Sequence, residues 1–489
     1  MNHRTRFAGL QVLVVTLLLF VTFTAGAQDI GSDQDLEMDL DALFGDEVVE
    51  EASSTPLNDQ VAAAASSNPV TSALTSETVR IGGSFSGSLS PSVTWTDLWG
   101  GGSPFLDPDE TSLDLSLKST LYFDARPKED FRVHGSVKTG WPFSTTKTFL
   151  TSTTTSTAIS SPNISIFELF ADFSLNDEMY FRFGKSTVKW GVGYFWSPAD
   201  VINIESINVL DADAQREGPV NMRINIPEFG TQNNFYLYTI LDNSDLDFDT
   251  TALAAKAEVL LGNYEVGIGG YYRYDTAERA MLTLTGPVGD FDIFGEAMVS
   301  RGSAKNFVTD IQTTSPYNIS KSSIADNRNN FYFSASTGFL YNNSNTNINA
   351  IGQYYYNGEG YSISTKDALV TKAKLAIASA IATLDQNAVV EISKSLASLI
   401  KGSGQHYTAL NISKSNLFSE HFSASIVAVA NLSDWSGIVK PTFNYAVHDN
   451  FSLALSPTYF FGPSDGEYAF FSGSNAVSLS LGATVSGAF

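Results

Sequence analysis

The chain has 489 residues, of which 12% are aromatic and only 16% charged, with no cysteine and a formal net charge of −24. The lack of cysteine excludes a disulfide framework and a thiolate metal site, and the negative charge argues against nucleic acid as a partner. A mean hydropathy of −0.02 is compatible with a soluble exported protein of several domains. It is also typical of a transmembrane β-barrel, because apolar and polar faces alternate along every strand.

The first residues have the features of a secretory signal peptide. Arg4 and Arg6 precede an apolar run at 10–23, and a small-residue A-G-A cleavage site follows at 25–27. The alternative is a retained membrane anchor, but the run is short for a membrane span. We therefore predict that residues 1–27 are removed and that the protein leaves the cytoplasm.

The segment 28–77 differs in composition from everything after it. It opens densely acidic without a basic residue and continues rich in Ala, Ser and Thr. Such a composition cannot bury a core. We predict an acidic disordered tail and linker here, followed by the main domain at 78–489.

From residue 78 onward, apolar residues recur at every second position in one short segment after another. Period two is typical of strands with one apolar and one polar face. The segments number about eighteen, an even count as in single-chain bacterial barrels, with 16 as the alternative. They are 79–89, 113–123, 131–141, 169–175, 179–183, 220–226, 235–237, 253–261, 264–274, 280–284, 291–299, 331–335, 348–354, 410–412, 422–428, 443–447, 451–455 and 477–489.

The lengths of the connections distinguish a β-sandwich from a barrel. Counted back from the C-terminus, every second connection is short, and all long ones fall in the other class. A sandwich gives no reason for this segregation, whereas an outer-membrane barrel has short periplasmic turns and long extracellular loops. We therefore predict an all-β fold, a transmembrane antiparallel barrel. The long connections are 90–111, 143–163, 188–218, 242–251, 302–328, 358–404 and 462–474.

One long connection contains a segment that abandons period two. Residues 366–401 are rich in Ala, Leu and Lys, which favour helix. Two apolar stripes at helical spacing are separated by Asp385-Gln386-Asn387. We predict a helical hairpin on the outer side that acts as a lid or plug. The stripes are Leu369, Ala373, Ala376, Ala380 and Leu384, then Val389, Ile392, Leu396 and Leu399.

The connection at 188–218 carries a distinctive motif, W-G…S-P-x-D…N…R-E-G. It resembles a loop of bacterial outer-membrane porin-like barrels, akin to the alginate-export type, although Ile204 stands where a proline is expected. The resemblance implies architecture more than a particular solute. The loop either folds inward and narrows the pore or caps the rim. The motif residues are Trp190, Gly191, Ser197, Pro198, Asp200, Asn203, Arg216, Glu217 and Gly218.

The last residue, Phe489, falls on the apolar face of the last strand. A terminal aromatic residue in this position resembles the signal by which outer-membrane barrels enter their assembly machinery. The resemblance implies that this machinery is a partner, together with outer-membrane lipid. A homo-oligomer is an open alternative to a monomer.

In strands two to six, the positions between the apolar residues include many charged side chains. We predict that these side chains line the pore. Simple hairpin register places Asp124 opposite Arg132 and Asp172 opposite Arg182. These charges either brace the wall as ion pairs or sort solutes by charge. The residues are Asp114, Lys118, Asp124, Arg132, His134, Lys138, Glu168, Asp172, Arg182 and Arg223.

These features favour a pore for small polar or charged solutes across the outer membrane. A surface adhesin or assembly barrel without transport is the first alternative, and an outer-membrane hydrolase is a more distant one. No Ser/His/Asp pattern supports catalysis, so we expect no catalytic residues, no metal and no cofactor.

Overall fold

The computed structural model describes residues 79–96, 108–152, 155–176, 178–204, 206–212, 214–241, 247–323, 327–470 and 472–489. The side chains at 145–152 and 155–160 are outside this description. The predicted signal peptide and the acidic tail at 28–77 lie outside the described residues. All of the described residues belong to one unit, Asp41–Phe489.

The alternating segments form the strands of a barrel. The first half comprises β1 Val79–Trp95, β2 Glu110–Lys128, β3 Phe131–Ser152, β4 Thr155–Leu175, β5 Met179–Lys185, β6 Val220–Pro227, β7 Asn234–Leu241, β8 Ala252–Leu261, β9 Tyr264–Arg273, β10 Glu278–Val288 and β11 Phe291–Arg301. The remaining strands are β12 Val308–Ile311, β13 Ile319–Lys321, β14 Phe331–Asn343, β15 Ile348–Tyr356, β16 His406–Lys414, β17 Phe422–Asn431, β18 Ser436–His448, β19 Phe451–Phe461 and β20 Val477–Ala488.

Eighteen of these strands form one sheet, and β12 and β13 pair separately. Each barrel strand is antiparallel to its neighbours, and β1 pairs with β20 to close the sheet, with Ser84 opposite Ala488. Phe489 extends this seam, because its N–H donates to Gly83 O and its carbonyl accepts from Gly83 N, both at 2.9 Å. The predicted transmembrane antiparallel barrel of about eighteen strands is confirmed.

The two faces of the sheet differ as the period-two pattern requires. Large apolar side chains stand exposed on the outer face, among them Leu113 at 65% and Ile268 at 61%. On the inner face the charged Asp124 and Arg182 are only 7% and 5% exposed. A closed sheet leaves no unpaired edge, and an apolar outer band with a polar interior is the surface that a bilayer requires.

The predicted connection at 143–163 is wrong in part. Strands β3 and β4 continue through most of it, with Ser144 opposite Pro162 and Ser152 opposite Thr155. The segment is rich in β-branched Thr, which favours the extended conformation. It therefore forms the far end of a long β-hairpin.

Two helices interrupt the connection between β15 and β16. They are α1, Ile363–Ala382, and α2, Gln386–Ile400, each capped by a side chain that accepts a backbone N–H: Ser362 from Thr365 and Asp385 from Ala388. Neither of these described helices has the length and hydropathy needed to cross a membrane. Together they form the helical hairpin predicted for 366–401.

The helical hairpin packs on the β12–β13 pair. Its two predicted stripes supply most of a shared core, with Val308 and Ile311 from β12. Leu384 is an exception: it is 87% exposed, because α1 ends at Ala382 and the positive φ of Leu384, 58°, turns the chain toward α2. The predicted turn at 385–387 is likewise too late, since Asp385 already caps α2.

Candidate functional site

The connection between β5 and β6 lies inside the barrel. We call residues 186–219 the inward loop; residues 205 and 213 within it are outside the description. Its first half is deeply buried, with Trp190, Phe195 and Ala199 almost fully covered. Of the two alternatives for this motif, an inward fold and a cap on the rim, the structure has the inward fold.

Charged side chains on β8 and β11 hold the first part of the inward loop. Lys256 Nζ donates to Trp190 O at 3.0 Å. On β11, Glu296 Oε2 accepts from Val192 N at 2.9 Å and from Ser197 Oγ at 3.2 Å. A buried polar group left without a partner costs about 1–3 kcal/mol, so these hydrogen bonds fix the loop against one half of the wall.

A glutamine on β15 holds the tip of the loop. Gln353 Oε1 accepts from the N–H groups of Tyr194 at 3.1 Å, Phe195 at 2.7 Å and Trp196 at 3.4 Å. Its Nε2 donates to Trp196 O at 2.6 Å. One side chain thus satisfies four backbone groups that would otherwise be buried without partners.

Aromatic rings complete the contact between the tip and the wall. The Trp196 ring stacks on Tyr355 with centroids 5.9 Å apart and lies 5.7 Å from Tyr407. At the other end, Trp190 meets Tyr238 edge to face at 5.2 Å. The loop therefore follows the inner wall from β7 to β16.

Gly191 and Gly218 are required by close approach. A Cβ on Gly191 would overlap Ser197 Oγ and Glu296 Oε2, and a Cβ on Gly218 would overlap the backbone of Ser186. The first glycine lets the tip reach its anchor on β11. The second lets the two ends of the loop meet.

The polar motif residues form a clasp at the base of the loop. Arg216 pairs with Asp200, whose Oδ2 also accepts from Asn203 Nδ2 at 3.0 Å. Asn203 in turn bonds both backbone groups of Val188, its Oδ1 accepting from Val188 N at 3.0 Å. Glu217 pairs with Lys185 at the end of β5, and Pro198 is buried in the tip. The structure thus brings the predicted motif residues together in one loop.

A ladder of charges crosses five neighbouring strands on the inner face. Register places Arg132 opposite Asp172, Asp172 opposite Arg182, and Arg182 opposite Arg223. Arg182 Nε donates to Asp172 Oδ1 at 2.7 Å, which confirms that predicted pair. The charged ladder, as we call it, consists of Asp124, Arg132, Asp172, Arg182 and Arg223.

The predicted register of Asp124 is wrong. An irregularity between Ala125 and Lys128 places Asp124 opposite His134. Arg132 nevertheless reaches Asp124, with Nε 2.7 Å from Oδ2. The long arginine side chain spans the offset that the hairpin introduces.

Other predicted residues lie around the charged ladder. His134 Nδ1 is 3.5 Å from Asp124 Oδ2, and its Nε2 is 3.7 Å from Glu168 Oε2. Lys138 Nζ lies 3.1 Å from the centre of the Phe167 ring, within the range of a cation–π interaction. These residues lie beside the charged ladder on the inner face, and the two roles of the charges, bracing the wall or sorting solutes, stay predictions.

The inner faces of β18–β20, β1 and β2 carry hydroxyls. Register aligns Ser112 with Ser92, Ser92 with Ser480, and Ser480 with Ser456. Ser92 Oγ and Ser112 Oγ are 2.7 Å apart, and Ser456 Oγ lies 3.2 Å from Thr442 Oγ1. We call these residues the hydroxyl row. Asp114 and Lys118 lie on the same face of β2, opposite Ser90 and Ser86.

Sequence reasoning missed the anchors Lys256, Glu296 and Gln353. Strand parity already assigned Glu296 to the inner face, between the outward Gly295 and Ala297. A carboxylate in the middle of that strand was a usable signal of a polar partner inside the barrel. Nothing in the sequence identified that partner as a loop that begins about a hundred residues earlier.

No protein-family model matches this chain, and no curated protein matches it. Among solved structures, the chain is similar to Pseudomonas aeruginosa OccK11 (OpdR), with 8% identity, a TM-score of 0.44, and coverage of 84% of this chain and 96% of that one. It is also similar to Acinetobacter baumannii OccAB1, with 11% identity, a TM-score of 0.41, and coverage of 84% and 97%. The outer membrane protein opdK from Pseudomonas aeruginosa has 6% identity, a TM-score of 0.42, and coverage of 84% and 99%.

Proposed function

We propose that this chain is a pore in an outer membrane, narrowed from within by the inward loop, for small polar or charged solutes. The observation that carries the proposal is the attachment of this loop to Glu296 and Gln353 on the inner wall. A loop bonded there occupies part of the cross-section of the lumen. The position of its tip then sets the narrowest opening.

The location follows from the outer face of the barrel. Exposed leucine, isoleucine and phenylalanine side chains cover it, an area far larger than a water-soluble monomer tolerates. In a membrane this apolar surface contacts lipid chains and is not exposed to water. We place the short turns in the periplasm and the helical hairpin outside, as the predicted export signal and the segregation of loop lengths support.

The class of solute follows from the inner surface. The charged ladder and the hydroxyl row offer hydrogen-bond donors, acceptors and both signs of charge. A solute that sheds water in the lumen can replace its hydration with these groups. We assign no reaction to the chain. The likeness of the loop motif to alginate-export-type barrels stays a prediction.

Conductance of the purified protein in planar bilayers tests the proposal. We expect stable single channels, and we expect Gln353→Leu to raise the conductance and its noise, because three backbone N–H groups at the tip lose their acceptor, at about 1–3 kcal/mol per buried donor. Gln232→Leu, the same substitution in the exposed turn between β6 and β7, is the control and should conduct as the wild type does. Folded protein that never conducts refutes the pore and favours the adhesin alternative.

A further inference from the structure

The helical hairpin is tied to the barrel by a buried ion pair. Lys366 Nζ on α1 lies 2.9 Å from Asp434 Oδ2, and both side chains are largely covered. Asp434 belongs to the turn between β17 and β18, where its Oδ1 accepts from Ser436 N at 3.1 Å and from Ser436 Oγ at 2.6 Å. The lysine of α1 is thus bonded to the turn between β17 and β18.

A second carboxylate joins this ion pair to the end of the hairpin. Glu467, in the connection between β19 and β20, accepts from Gly402 N just after α2, from Tyr407 Oη and from Asn431 Nδ2, each at 2.9 Å. Its own N–H donates to Asp434 Oδ2 at 3.0 Å. Burial raises the pKa of the Glu467 carboxyl, which reflects how little water reaches this junction.

Tyr407 contacts both this junction and the inward loop. Its hydroxyl donates to Glu467 and accepts from Gly404 N at 2.9 Å. Its ring lies 5.7 Å from Trp196 at the tip of the loop. The side chain is almost fully buried, so it cannot move at one end without disturbing the other.

We propose that Tyr407 is a positioning residue that couples the seating of the helical hairpin to the position of the inward loop. When Lys366 leaves Asp434, the network around Glu467 loosens and Tyr407 no longer holds Trp196 in place. The loop tip then gains freedom, and the opening of the pore changes. The effect on conductance rests on the proposed pore function, whereas the mechanical coupling does not.

Loss of the Lys366–Asp434 ion pair should be transmitted to the loop tip for two physical reasons. Removing one partner of a buried ion pair leaves an uncompensated charge and strongly destabilises the arrangement around it. Packed interiors switch between discrete arrangements instead of deforming smoothly. A coupling of about tenfold in the opening equilibrium of the loop tip is in the usual range for linked sites.

Hydrogen exchange of the backbone amides at 191–197 tests the coupling without any need for conduction. We expect Lys366→Met to accelerate exchange there about tenfold, and to do so only while the Tyr407 hydroxyl is present. In the Tyr407→Phe background the same substitution should leave exchange at 191–197 unchanged. Lys394→Met, which breaks the exposed pair with Glu391 within α2, is the control and should leave this segment unchanged.

The outcomes separate the two proposals. Faster exchange confined to α1 in Lys366→Met, or effects of the Lys366 and Tyr407 variants that simply add, overturns the coupling. If Lys366→Met does not assemble, the nearly isosteric Glu467→Gln takes its place with the same expectation. Coupled exchange in a protein that never conducts overturns the pore function and leaves the coupling intact.

Discussion

The two halves of the inner wall differ in what their side chains contact. Along β7–β16 the inner face packs against the inward loop, through residues such as Glu296 and Gln353. Along β17–β20 and β1–β6 the inner face carries the hydroxyl row and the charged ladder, with hydrogen bonds such as Ser92–Ser112 and Arg182–Asp172 across the strands. We call these the covered half and the open half.

One alternating pattern thus produces two kinds of inner surface in this barrel. On both halves the outward positions are mostly apolar, and the inward positions include charged side chains such as Glu296 and Arg182. The covered half also carries large apolar side chains that point inward, among them Phe294 and Ile351. On the covered half a polar side chain bonds to the backbone of a distant segment. On the open half its partner is the side chain on the next strand. We infer that solutes pass along the open half, opposite the loop.

Deleting Phe489 has the largest expected effect on the protein, because Phe489 extends the pairing of β20 with β1 that closes the barrel. This seam lies in the open half. The deletion removes both hydrogen bonds to Gly83 and the terminal aromatic ring. We expect export to continue and the amount of protein in the outer membrane to fall severely, with periplasmic aggregates or fragments instead. Fractionation with immunoblotting measures this. Equal membrane levels of wild type and deletion would contradict the assembly role, and Phe489→Tyr is the control.

Gly191→Val should disrupt the covered half alone. The new side chain would overlap Ser197 and Glu296, and overpacking of this kind costs about 1–3 kcal/mol. The loop tip should leave the wall and the single-channel conductance should change. Gly270→Ala is the matched control, since its Cβ would meet only Arg279 O at an ordinary 3.6 Å. Identical conductance for both variants would show that the tip does not set the opening.

Replacing Arg182 and Arg223 with methionine should show whether charges on the open half set the ion selectivity of the pore. The loss of Arg182 leaves the Asp172 carboxylate without its bidentate partner. A unit charge at 4 Å through water is worth about 1 kcal/mol, so the cation-to-anion permeability ratio should rise about fivefold at low salt.

Reversal potentials in a salt gradient measure this ratio. Lys128→Met, at the turn between β2 and β3, is the control and should change it little. An unchanged reversal potential in the double variant would mean that these arginines only brace the wall.

The smallest expected effect is that of acid on the helical hairpin. Hydrogen bonds from Lys372 and Lys374 hold the pKa of Asp310 and of Asp465 below the ordinary value of 3.8. The folded state therefore binds fewer protons, and the stability that these pairs contribute is present above pH 3.8 and is lost as the pH falls through the lowered pKa values. We expect pepsin to cleave the hairpin faster as the pH falls from about 4 to about 2.

The double variant Asp310→Asn, Asp465→Asn is the comparison for this experiment. Its hairpin lacks both ion pairs at every pH, so the cleavage rate should lose the part of its pH dependence that the wild type owes to them. The same pH dependence in both proteins would show that the two exposed pairs contribute nothing to the seating of the hairpin.

Several features of the fold were predictable because their cause is local. Strand alternation, short turns and helix-favouring composition act over a few residues, so the barrel, its strand number and the helical hairpin follow from the sequence. The pair of Asp172 and Arg182 was predictable for the same reason, since a tight turn joins their strands. The predicted register of Asp124 with Arg132 is wrong, because an irregularity near the turn shifts the two strands relative to each other. The alternating pattern does not encode the size of that shift.

By itself, the sequence determined which residues face lipid and which face inward, because that choice depends only on parity along each strand. Tertiary structure alone decided what the inward residues touch. Glu296 and Gln353 hold a loop that lies far away in the chain, and Tyr407 lies between that loop and the network below the helical hairpin. Such contacts depend on how a closed sheet brings distant strands and loops together. No local pattern in the chain encodes which of these distant segments come into contact.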